Sequence, residues 1–396
     1  MTRWTDIEPF LASRCKQGLQ RQRIIVDSPQ TPELQVEGER LLSFCSNDYL
    51  GLAADPRLAE AANRAIQQYG FGAGASHLVT GHMAPHHELE TALAEFTGSE
   101  RALLFSTGYM ANLAVVATLL GRHDRVIEDK LNHASLIDAA RLSGARVQRY
   151  AHGDMARLQQ LLEQDQESAT TLVATDSVFS MDGDIAAVAE MLPWCRQANA
   201  WLLLDEAHAF GVLGEHGGGS LEALNLTVDP NVIRVGTLGK AFGSFGAFVA
   251  GSNELIELLI QTARTYIYTT ALPPAVAAAS QAALEIIKTE PQRREMLQAR
   301  VQQFRTGVES LGPEFSKALM PSTTPIQPLL IGDAADAVAA SEALRQQGIL
   351  VTAIRPPTVP AGTARLRITL SAGHTEAQVD HLLDVLATLK LPGQQD

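Results

Sequence analysis

The sequence predicts an α/β protein in which helices pack against a mostly parallel, doubly wound sheet, followed by a smaller α+β domain. Between about residues 100 and 250, short apolar runs alternate with helical segments, which is the pattern of parallel strands joined by crossover helices. Over roughly the last ninety residues, strand-like segments mix with helices instead. We therefore predict an arm and hairpin over 1–45, a large α/β domain over 46–285 and a small α+β domain over 286–396.

Composition and charge are those of a compact cytoplasmic protein. The chain has 396 residues, of which 46% are hydrophobic and 19% charged, and its formal net charge is −13. This charge argues against nucleic acid as a principal partner, because phosphate binding needs clustered cations. The opening residues lack an apolar signal core, and no apolar run approaches the ~20 residues of a membrane span, so we expect a cytoplasmic protein without membrane contact.

The first fifty residues predict an amphipathic arm and a hairpin that turns at the pair Glu37–Gly38. Arg21 belongs to a basic group in the arm, for which a solvated helix face is the simplest interpretation. Asn47 and Asp48 follow the hairpin, between an apolar strand and a turn, where such residues commonly cap a loop. The local pattern assigns no chemistry to this part of the chain.

The glycine-rich segment YGFGAGASHLVTGH and the residues after it resemble a dinucleotide site and a metal site, but the pattern supports neither. Gly72 and Gly74 resemble part of a dinucleotide fingerprint, but no apolar strand precedes them, so we predict no nicotinamide site. Four potential metal ligands follow, namely His82, His86, His87 and Glu88. Only His82 and His86 are one helical turn apart, and Pro85 lies between them, so we expect no metal site.

Three strand-like segments end in polar residues that suit a bound ligand. RALLFSTGYM runs into a helix at Ser106–Tyr109, where backbone N–H groups form an anion site; an ordinary capped turn is an equally good interpretation. His133 follows the strand-like VIED, although a lone histidine is usually structural. TLVATDSVFSMDGD ends in polar residues that include Asp176 and Ser180.

The stretch Trp201–Gly243 adds an acid, an imidazole, a hydroxyl and an amine after two apolar strands. The first strand stops at Asp205, with His208 three residues later, and the second leads into Thr237 and Lys240. We expect these groups to share one crevice, because open α/β sheets bind ligands at the carboxyl ends of their strands. An amine can form a Schiff base and a carboxylate can keep a pyridine nitrogen protonated, so the set indicates a pyridoxal phosphate enzyme.

These motifs resemble those of the α-oxoamine synthases, which are fold-type I pyridoxal phosphate enzymes with a mostly parallel, seven-stranded sheet. The resemblance spans almost the whole chain. It rests on the segments SNDYLGL, the glycine-rich loop, LLFSTGYMAN, LNHASLIDAARLSGA, VFSMDGD, LLLDEAHAFGVLGEHGGG, GTLGKAFG, YIYTTALPP and IRPPTVPAGTARLRITLSA.

The resemblance implies roles for five residues around the cofactor ring. It implies that Lys240 forms the Schiff base, that Asp205 faces the pyridine nitrogen and that His133 stacks on the ring. It further implies that His208 hydrogen-bonds the ring oxygen, with Ser180 nearby. Lys240, Asp205, His133 and His208 would be the catalytic residues.

The resemblance also implies positions for the phosphate and the substrates. The phosphate positions are Gly108, Tyr109 and Thr237, together with Thr269 and Thr270 from a neighbouring subunit. This implies a homodimer with shared active sites. The substrate positions are Asn47 and Arg355 for the carboxylate of the amino acid or intermediate and Arg21 for the acyl substrate.

Members of this family condense an amino acid with an acyl thioester and release CO₂. The segment that begins at Arg355 favours L-alanine and a pimeloyl thioester of CoA or acyl carrier protein. The alternatives are a glycine C-acetyltransferase, a 5-aminolevulinate synthase or a non-catalytic binding protein. The chain departs from the family pattern at Glu206, at Ala209–Phe210 and at His77. If the side chains at 206 and 209–210 face the cleft, acyl access would differ, and His77 bears on the contacts with the acyl chain.

Overall fold

The structure is a computed structural model that describes residues 3–17, 19–21, 23–164 and 169–390. It divides into two compact units. The small unit comprises Met1–Tyr49, Met181–Gly183 and Met296–Asp396, and the large unit comprises Leu50–Ser180 and Asp184–Glu295. The three-part domain division that the sequence suggests stays a prediction.

The described elements alternate along most of the chain. The helices are α1 (Ile7–Lys16), α2 (Pro56–Tyr69), α3 (Ala84–Thr97), α4 (Gly108–Leu119), α5 (Ala134–Ser143), α6 (Met155–Leu162), α7 (Val188–Gln197), α8 (Ser220–Ala223), α9 (Asn253–Thr262), α10 (Arg264–Ile267), α11 (Pro274–Thr289), α12 (Gln292–Ser310), α13 (Pro313–Ala318), α14 (Ala334–Gln346) and α15 (Glu376–Leu386). The strands are β1 (Glu33–Val36), β2 (Glu39–Ser43), β3 (Arg101–Phe105), β4 (Arg125–Asp129), β5 (Arg146–Tyr150), β6 (Thr171–Asp176), β7 (Trp201–Asp205), β8 (Val232–Thr237), β9 (Ala247–Gly251), β10 (Ile326–Gly332), β11 (Ile349–Leu350), β12 (Thr352–Ile354) and β13 (Ala364–Thr369). Shorter helical turns are a 3-10 turn at Trp4–Asp6 and a π-helical turn at His77–Gly81. Within the described ranges, no helix combines the length and apolar character that crossing a bilayer requires.

The large unit is organised around a seven-stranded sheet in the order β3-β9-β8-β7-β6-β4-β5. Six of the strands share one direction, and β9 is antiparallel to both of its neighbours. The helices between the parallel strands supply the crossovers that such a sheet needs. The predicted mostly parallel, doubly wound sheet is confirmed.

Strand β7 explains why the apolar runs of the sequence belong to the centre of this sheet. Leu203 packs into one hydrophobic core with residues of α4 and α5, and Leu202 and Leu204 pack into another with residues of α6 and α7. Successive side chains of a strand point to opposite faces, and both faces of this strand are covered. Each buried leucine stabilises the fold by about 1.5–3 kcal/mol, which favours an unbroken apolar strand.

The small unit contains two three-stranded sheets, in the orders β1-β2-β11 and β10-β13-β12. Strands β1 and β2 form the predicted antiparallel hairpin. Its turn residues Glu37 and Gly38 have φ values of 50° and 89°, the left-handed backbone that a two-residue hairpin turn requires. Strands β10–β13 together with α13–α15 form the α+β part that the sequence predicts at the C-terminus.

Candidate active site

Three neighbouring strands of the large sheet end at the same edge. Strand β6 ends at Asp176, β7 at Asp205 and β8 at Thr237. Asp176 and Asp205 are register partners, and Asp205 is paired with Val235, two residues before Thr237. The polar groups at these strand ends therefore lie on one edge of the sheet, where α/β proteins bind ligands.

Asp205 is buried and held in one orientation. It is only 5% exposed. Its Oδ2 accepts a hydrogen bond from Nδ2 of Asn112 at 2.7 Å, and its Oδ1 accepts from the backbone N–H of Ala207 at 3.0 Å. Hydrogen bonds to a charged group are about twice as strong as neutral ones, so these two donors define where the carboxylate points.

Lys240 lies beside His208, as one shared crevice requires. The Nζ of Lys240 is 2.9 Å from the Nε2 of His208. The turn that carries the lysine depends on Gly243, which has a φ of 62° and whose N–H donates to the carbonyl of Lys240 at 2.8 Å. A Cβ at this glycine would lie 2.4 Å from backbone atoms of Leu52 and Ala53. Glycine is therefore required for the amine to be held at the end of β8.

His133 caps the N-terminus of α5 and is held through both its backbone and its ring. Its N–H donates to Oδ2 of Asp176 at 2.6 Å, and its Nδ1 lies 2.7 Å from Oγ of Ser135. Burial lowers the pKa of His133; the charge of Asp205 opposes this shift and that of Lys240 adds to it. The imidazole is therefore neutral at pH 7.

Asp176 is a second buried carboxyl group next to Asp205. Burial raises the pKa of Asp176 well above its ordinary value, and the charge of Asp205 raises it further, while the N–H of His133 acts in the opposite direction. Neighbouring carboxylates resist simultaneous ionisation. Burial and the charge of Asp205 therefore both oppose ionisation of Asp176.

Asn112 and Ser135, which the sequence alone does not single out, connect Asp205 to His133. The Nδ2 of Asn112 donates to both Asp205 and Oγ of Ser135, at 2.7 and 2.8 Å, and Ser135 contacts His133. A continuous hydrogen-bonded chain therefore links Asp205 to His133. The signal in the sequence is weak: Asn112 is a fully buried amide within the otherwise apolar run ANLAVVATLL.

Helix α4 begins next to the end of β3 and presents its first turn. Thr107 is the N-cap, and its Oγ accepts from the N–H of Met110 at 3.2 Å. A Cβ at Gly108 would meet no atom within 4 Å, so the space at the start of this twelve-residue helix is open. Tyr109 donates its phenolic hydrogen to Asp138, which orients the ring. Free N–H groups and the helix dipole make this end suitable for an anion.

The other residues that the resemblance assigns to the cofactor lie elsewhere in the large unit. The hydroxyl of Thr237 donates to a backbone carbonyl at 3.1 Å. Thr269 and Thr270 follow α10, and Thr270 forms a β-bridge with Ser76 of the glycine-rich loop. Ser180 is half-buried and follows β6.

The residues predicted to bind substrates lie in the small unit. The Oδ1 of Asn47 accepts from Nη2 of Arg367 at 3.1 Å and from the hydroxyl of Tyr49 at 3.2 Å. Arg355 donates to the carbonyl of the residue before Arg21 at 2.8 Å. The guanidinium that contacts Asn47 is therefore that of Arg367. The sequence alone assigns no role to Arg367, which lies within the segment ARLRITLSA.

Comparison with known proteins gives one consistent result. Residues 39–386 match the family model of class I and II aminotransferases. The 8-amino-7-oxononanoate synthases of Thioalkalivibrio sulfidiphilus and Hahella chejuensis are 57% and 55% identical to the chain. The alignments cover 96% and 98% of this chain and 96% of each relative. The chain belongs to the 8-amino-7-oxononanoate synthase family.

Solved structures of related enzymes share the fold. Serine palmitoyltransferase from S. paucimobilis, with a bound PLP–myriocin aldimine, is 30% identical with a TM-score of 0.89, covering 96% of both chains. The 8-amino-7-oxononanoate synthase of Francisella tularensis is 32% identical with a TM-score of 0.76, covering 88% of this chain and 97% of that one. The predicted enzyme class and cofactor are confirmed: the chain is a pyridoxal phosphate-dependent acyltransferase.

The residues of the large unit fit pyridoxal phosphate chemically. The amine of Lys240 matches an aldehyde, and the buried carboxylate of Asp205 matches a pyridine nitrogen. The open helix N-terminus at Gly108 matches a phosphate. Each reactive part of the cofactor thus has a counterpart in this unit.

An effect of Glu206 and Ala209–Phe210 on acyl access requires that their side chains face the cleft, and it stays a prediction. Glu206 and Ala209 are fully buried and Phe210 is 2% exposed. Phe210 packs beneath the guanidinium of Arg234, whose Cζ lies 4.5 Å from the ring centroid. The three side chains are therefore buried in the large unit. His77 stacks on Tyr266 with centroids 5.1 Å apart, and its acyl contact stays a prediction.

Proposed function

We propose that the chain condenses L-alanine with a pimeloyl thioester to give 8-amino-7-oxononanoate, CO₂ and free thiol in biotin biosynthesis. The donor is pimeloyl-CoA or pimeloyl acyl carrier protein. The observation that carries the proposal is the 2.9 Å pairing of Lys240 Nζ with His208 Nε2, beside the strand that ends at Asp205. The 57% identity to an 8-amino-7-oxononanoate synthase supports this substrate pair over glycine with a shorter acyl donor.

Lys240 and Asp205 control the first proton transfer. When bound, pyridoxal phosphate supplies an electron-withdrawing ring that makes the α-proton of the amino acid acidic. Asp205, oriented by Asn112, holds a proton on the ring nitrogen. The Nζ of Lys240 removes the α-proton as general base, and His208 holds that nitrogen in position.

His133 serves as a neutral stacking group and hydrogen-bond donor. The N–H of Ser135 donates to Nδ1 of His133 at 3.3 Å, so Nδ1 is an acceptor and the ring proton lies on Nε2. A neutral imidazole stacks without adding a positive charge beside a ring that must withdraw electrons. We propose that its Nε2–H donates a hydrogen bond to the thioester carbonyl.

Gly108, Tyr109 and Thr237 bind the phosphate, and Thr269 and Thr270 of a second copy complete the site. The open N-terminus of α4 supports the first part of this assignment. We infer a homodimer with shared active sites. Mixed dimers of Lys240→Ala and Thr270→Ala chains test it, because one site in each mixed dimer would retain both residues. Activity that exceeds the mean of the two parent variants supports sharing, whereas the mean itself argues against it.

The carboxylate of the amino acid has two candidate arginine partners in the small unit. Asn47 and Arg355 are the positions that the resemblance implies. Arg367, which is only 6% exposed, adds a guanidinium that contacts Asn47. Arg355→Ala and Arg367→Ala should be compared by the KM for L-alanine. The variant that raises KM identifies the partner. Arg21→Ala, with Arg23→Ala as its control, should raise only the KM for the acyl donor.

Product analysis with defined substrates decides the function. L-alanine and glycine are each combined with pimeloyl-CoA, pimeloyl carrier protein, acetyl-CoA and succinyl-CoA, and CO₂, thiol and product mass are measured. We expect turnover with L-alanine and a pimeloyl donor, and none for Lys240→Ala, while Lys317→Ala should match the unaltered protein. Preference for glycine would assign the chain to a related activity. We place the enzyme in the cytoplasm on the basis of its composition.

A further inference from the structure

A second cluster of metal-ligating side chains lies in the large unit, in the glycine-rich loop and the start of α3. It contains four imidazoles and one carboxylate, from His77, His82, His86, His87 and Glu90. None of these residues belongs to the set assigned to the cofactor or to the proton transfers. An ion can bind only those ligand atoms whose lone pairs are not already used within the protein.

His86 is committed to the protein on both sides of its ring. Its Nδ1 accepts from the N–H of Met83 at 2.9 Å, and its Nε2 donates to the carbonyl of Leu272 at 2.7 Å. A ligand atom must offer a free lone pair, which neither nitrogen has. His86 is therefore structural: it caps α3 and ties it to the segment before α11.

His77 orients the ring of His82. The two Nδ1 atoms are 2.9 Å apart, so one carries the hydrogen and the other accepts it. His77 is itself stacked on Tyr266, which fixes its ring plane. When His82 donates through Nδ1, its Nε2 bears the lone pair. Metal-binding histidines typically donate their other ring N–H to such an acceptor.

The Nε2 atom of His82 lies near a carboxylate oxygen at a separation that suits an intervening ion. Nε2 of His82 is 3.9 Å from Oε2 of Glu90, too long for a hydrogen bond. Two atoms bound at ~2.1 Å to one tetrahedral zinc ion lie roughly 3.4 Å apart. Glu90 is anchored by its other oxygen, which accepts from the N–H of Leu104 at 2.9 Å, and its side chain is 13% exposed.

His87 supplies the third ligand. It lies three residues before Glu90 on α3, and residues at this spacing share one face of a helix. The ligand atoms of His82, His87 and Glu90 all lie within 4.8 Å of one another. The set therefore gathers two imidazoles and one carboxylate closely enough for side-chain rotation to bring all three around one ion.

We propose that His82, His87 and Glu90 bind a divalent transition-metal ion of the zinc class, with His77 positioning His82. Two nitrogen ligands and one carboxylate oxygen form a set that zinc accepts, with a fourth position left to water. The sequence argues against a metal site because Pro85 interrupts the pair His82–His86. In the fold, Pro85 lies in the first turn of α3, where proline is tolerated, and the spacing that matters is His87 to Glu90.

The test uses the tag-free holoenzyme, stripped of metal and titrated with Co²⁺ and then with Zn²⁺. We expect one Co²⁺ per chain, visible ligand-field bands of a tetrahedral nitrogen–oxygen site, and displacement by Zn²⁺. His87→Gln and Glu90→Gln should each weaken binding at least tenfold. His77→Phe should weaken it 10–100-fold, as loss of an orienting partner does, while retaining the tetrahedral bands.

Two controls keep the result interpretable. His123→Gln removes an exposed histidine outside the cluster and should leave cobalt affinity unchanged. His87 is exposed, so its variant should keep the melting temperature of the parent and test the site even if Glu90→Gln does not fold. Cobalt binding that is absent, or that is equally tight in His87→Gln and the parent, overturns the proposal.

Discussion

The side-chain amide of Asn112 donates to Asp205 across 93 positions of sequence, at 2.7 Å. The same Nδ2 atom reaches Ser135, whose hydroxyl contacts the ring of His133. The carboxylate assigned to the pyridine nitrogen and the imidazole assigned to the ring face are thus connected through α4 and α5. Three short hydrogen bonds therefore fix the position of one relative to the other.

Replacing Asn112 by alanine should weaken the cofactor site without unfolding the protein. Loss of a hydrogen bond to a charged group costs about 1.5–3 kcal/mol, which corresponds to at least tenfold weaker cofactor binding. Affinity is measured by absorbance titration of the cofactor-free protein. Asn253→Ala, at an exposed helix start, serves as the control. Unchanged affinity in Asn112→Ala would show that the bond does not position Asp205.

A buried ion pair includes Glu206, the residue that follows Asp205. Glu206 and Arg234 are 0% and 2% exposed, and their side chains meet at 3.2 Å. The carboxylate also accepts from the hydroxyls of Ser177 and Ser220, at 3.1 and 2.6 Å, and the guanidinium donates to the carbonyl of Thr97 at 2.8 Å. The charges are therefore compensated by a network inside the large unit.

Glu206→Gln should lower the free energy of unfolding by about 3–5 kcal/mol, because it leaves the Arg234 charge buried without its counter-charge. Urea unfolding followed by circular dichroism measures this loss. The control is Arg196→Gln, which breaks the half-exposed pair with Asp229 and should cost less than about 1 kcal/mol. Equal losses in the two variants would contradict the view that burial determines the cost.

Stability should fall on the alkaline side through His152. Its ring lies between Asp129 and Asp184, at 3.1 and 2.9 Å, and these two bonds raise the pKa of His152 to about 10. The folded pKa exceeds the unfolded one, so the stabilisation is complete below about pH 6.5 and is lost as pH rises through 10.

Comparing urea unfolding at pH 6 and pH 10.5 tests this. Between these pH values, the free energy of unfolding of the parent should fall by about 1.5–3 kcal/mol more than that of His152→Gln. This is the range for hydrogen bonds to a charged group. His123→Gln, which removes an exposed histidine of the same unit, should behave as the parent. A parent and His152→Gln with parallel pH profiles would rule out the ion pairs as the cause.

The small unit should show the opposite dependence through His374. Burial lowers the pKa of His374 to about 4. Its Nδ1 accepts from the N–H of Ser371 and its Nε2 donates to the carbonyl of Ser43, each at 2.9 Å, and its ring stacks on Phe44. The folded pKa is depressed, so this contribution is present above about pH 6.5 and is lost as pH falls through 4.

His374→Gln should therefore flatten the loss of stability between pH 7 and pH 4, although it lowers stability at pH 7. Urea midpoints across this range provide the measurement. His381→Gln, an exposed position on α15, is the matched control and should retain the acid dependence of the parent. If His374→Gln loses stability with the same slope as His381→Gln, another group is responsible for the acid transition.

Features that depend on neighbours in sequence were predictable. The hairpin at Glu37–Gly38 follows from turn chemistry, and the strand that ends at Asp205 follows from an apolar run that stops abruptly. The approach of Lys240 to His208 follows from two consecutive strands lying side by side. In each case the relevant geometry is produced by the backbone of one or two adjacent elements.

Contacts between distant segments were not predictable in the same way. Arg367 reaches Asn47 over 320 positions, and nothing in its local pattern distinguishes it from Arg355. The local pattern singles out the pair His82–His86, but the structural role of His86 depends on its hydrogen bond to the carbonyl of Leu272, which is 186 positions away.

The sequence by itself determined the parallel sheet, the order of its reactive residues and the chemistry that they can perform, since these follow from periodicity and side-chain type. Only the tertiary structure decided which polar groups are paired. Asn112 orients Asp205 and Glu206 neutralises Arg234. The reason is physical: a hydrogen bond requires its partners within about 3 Å, and packing of the whole chain, not local pattern, brings remote residues to that distance.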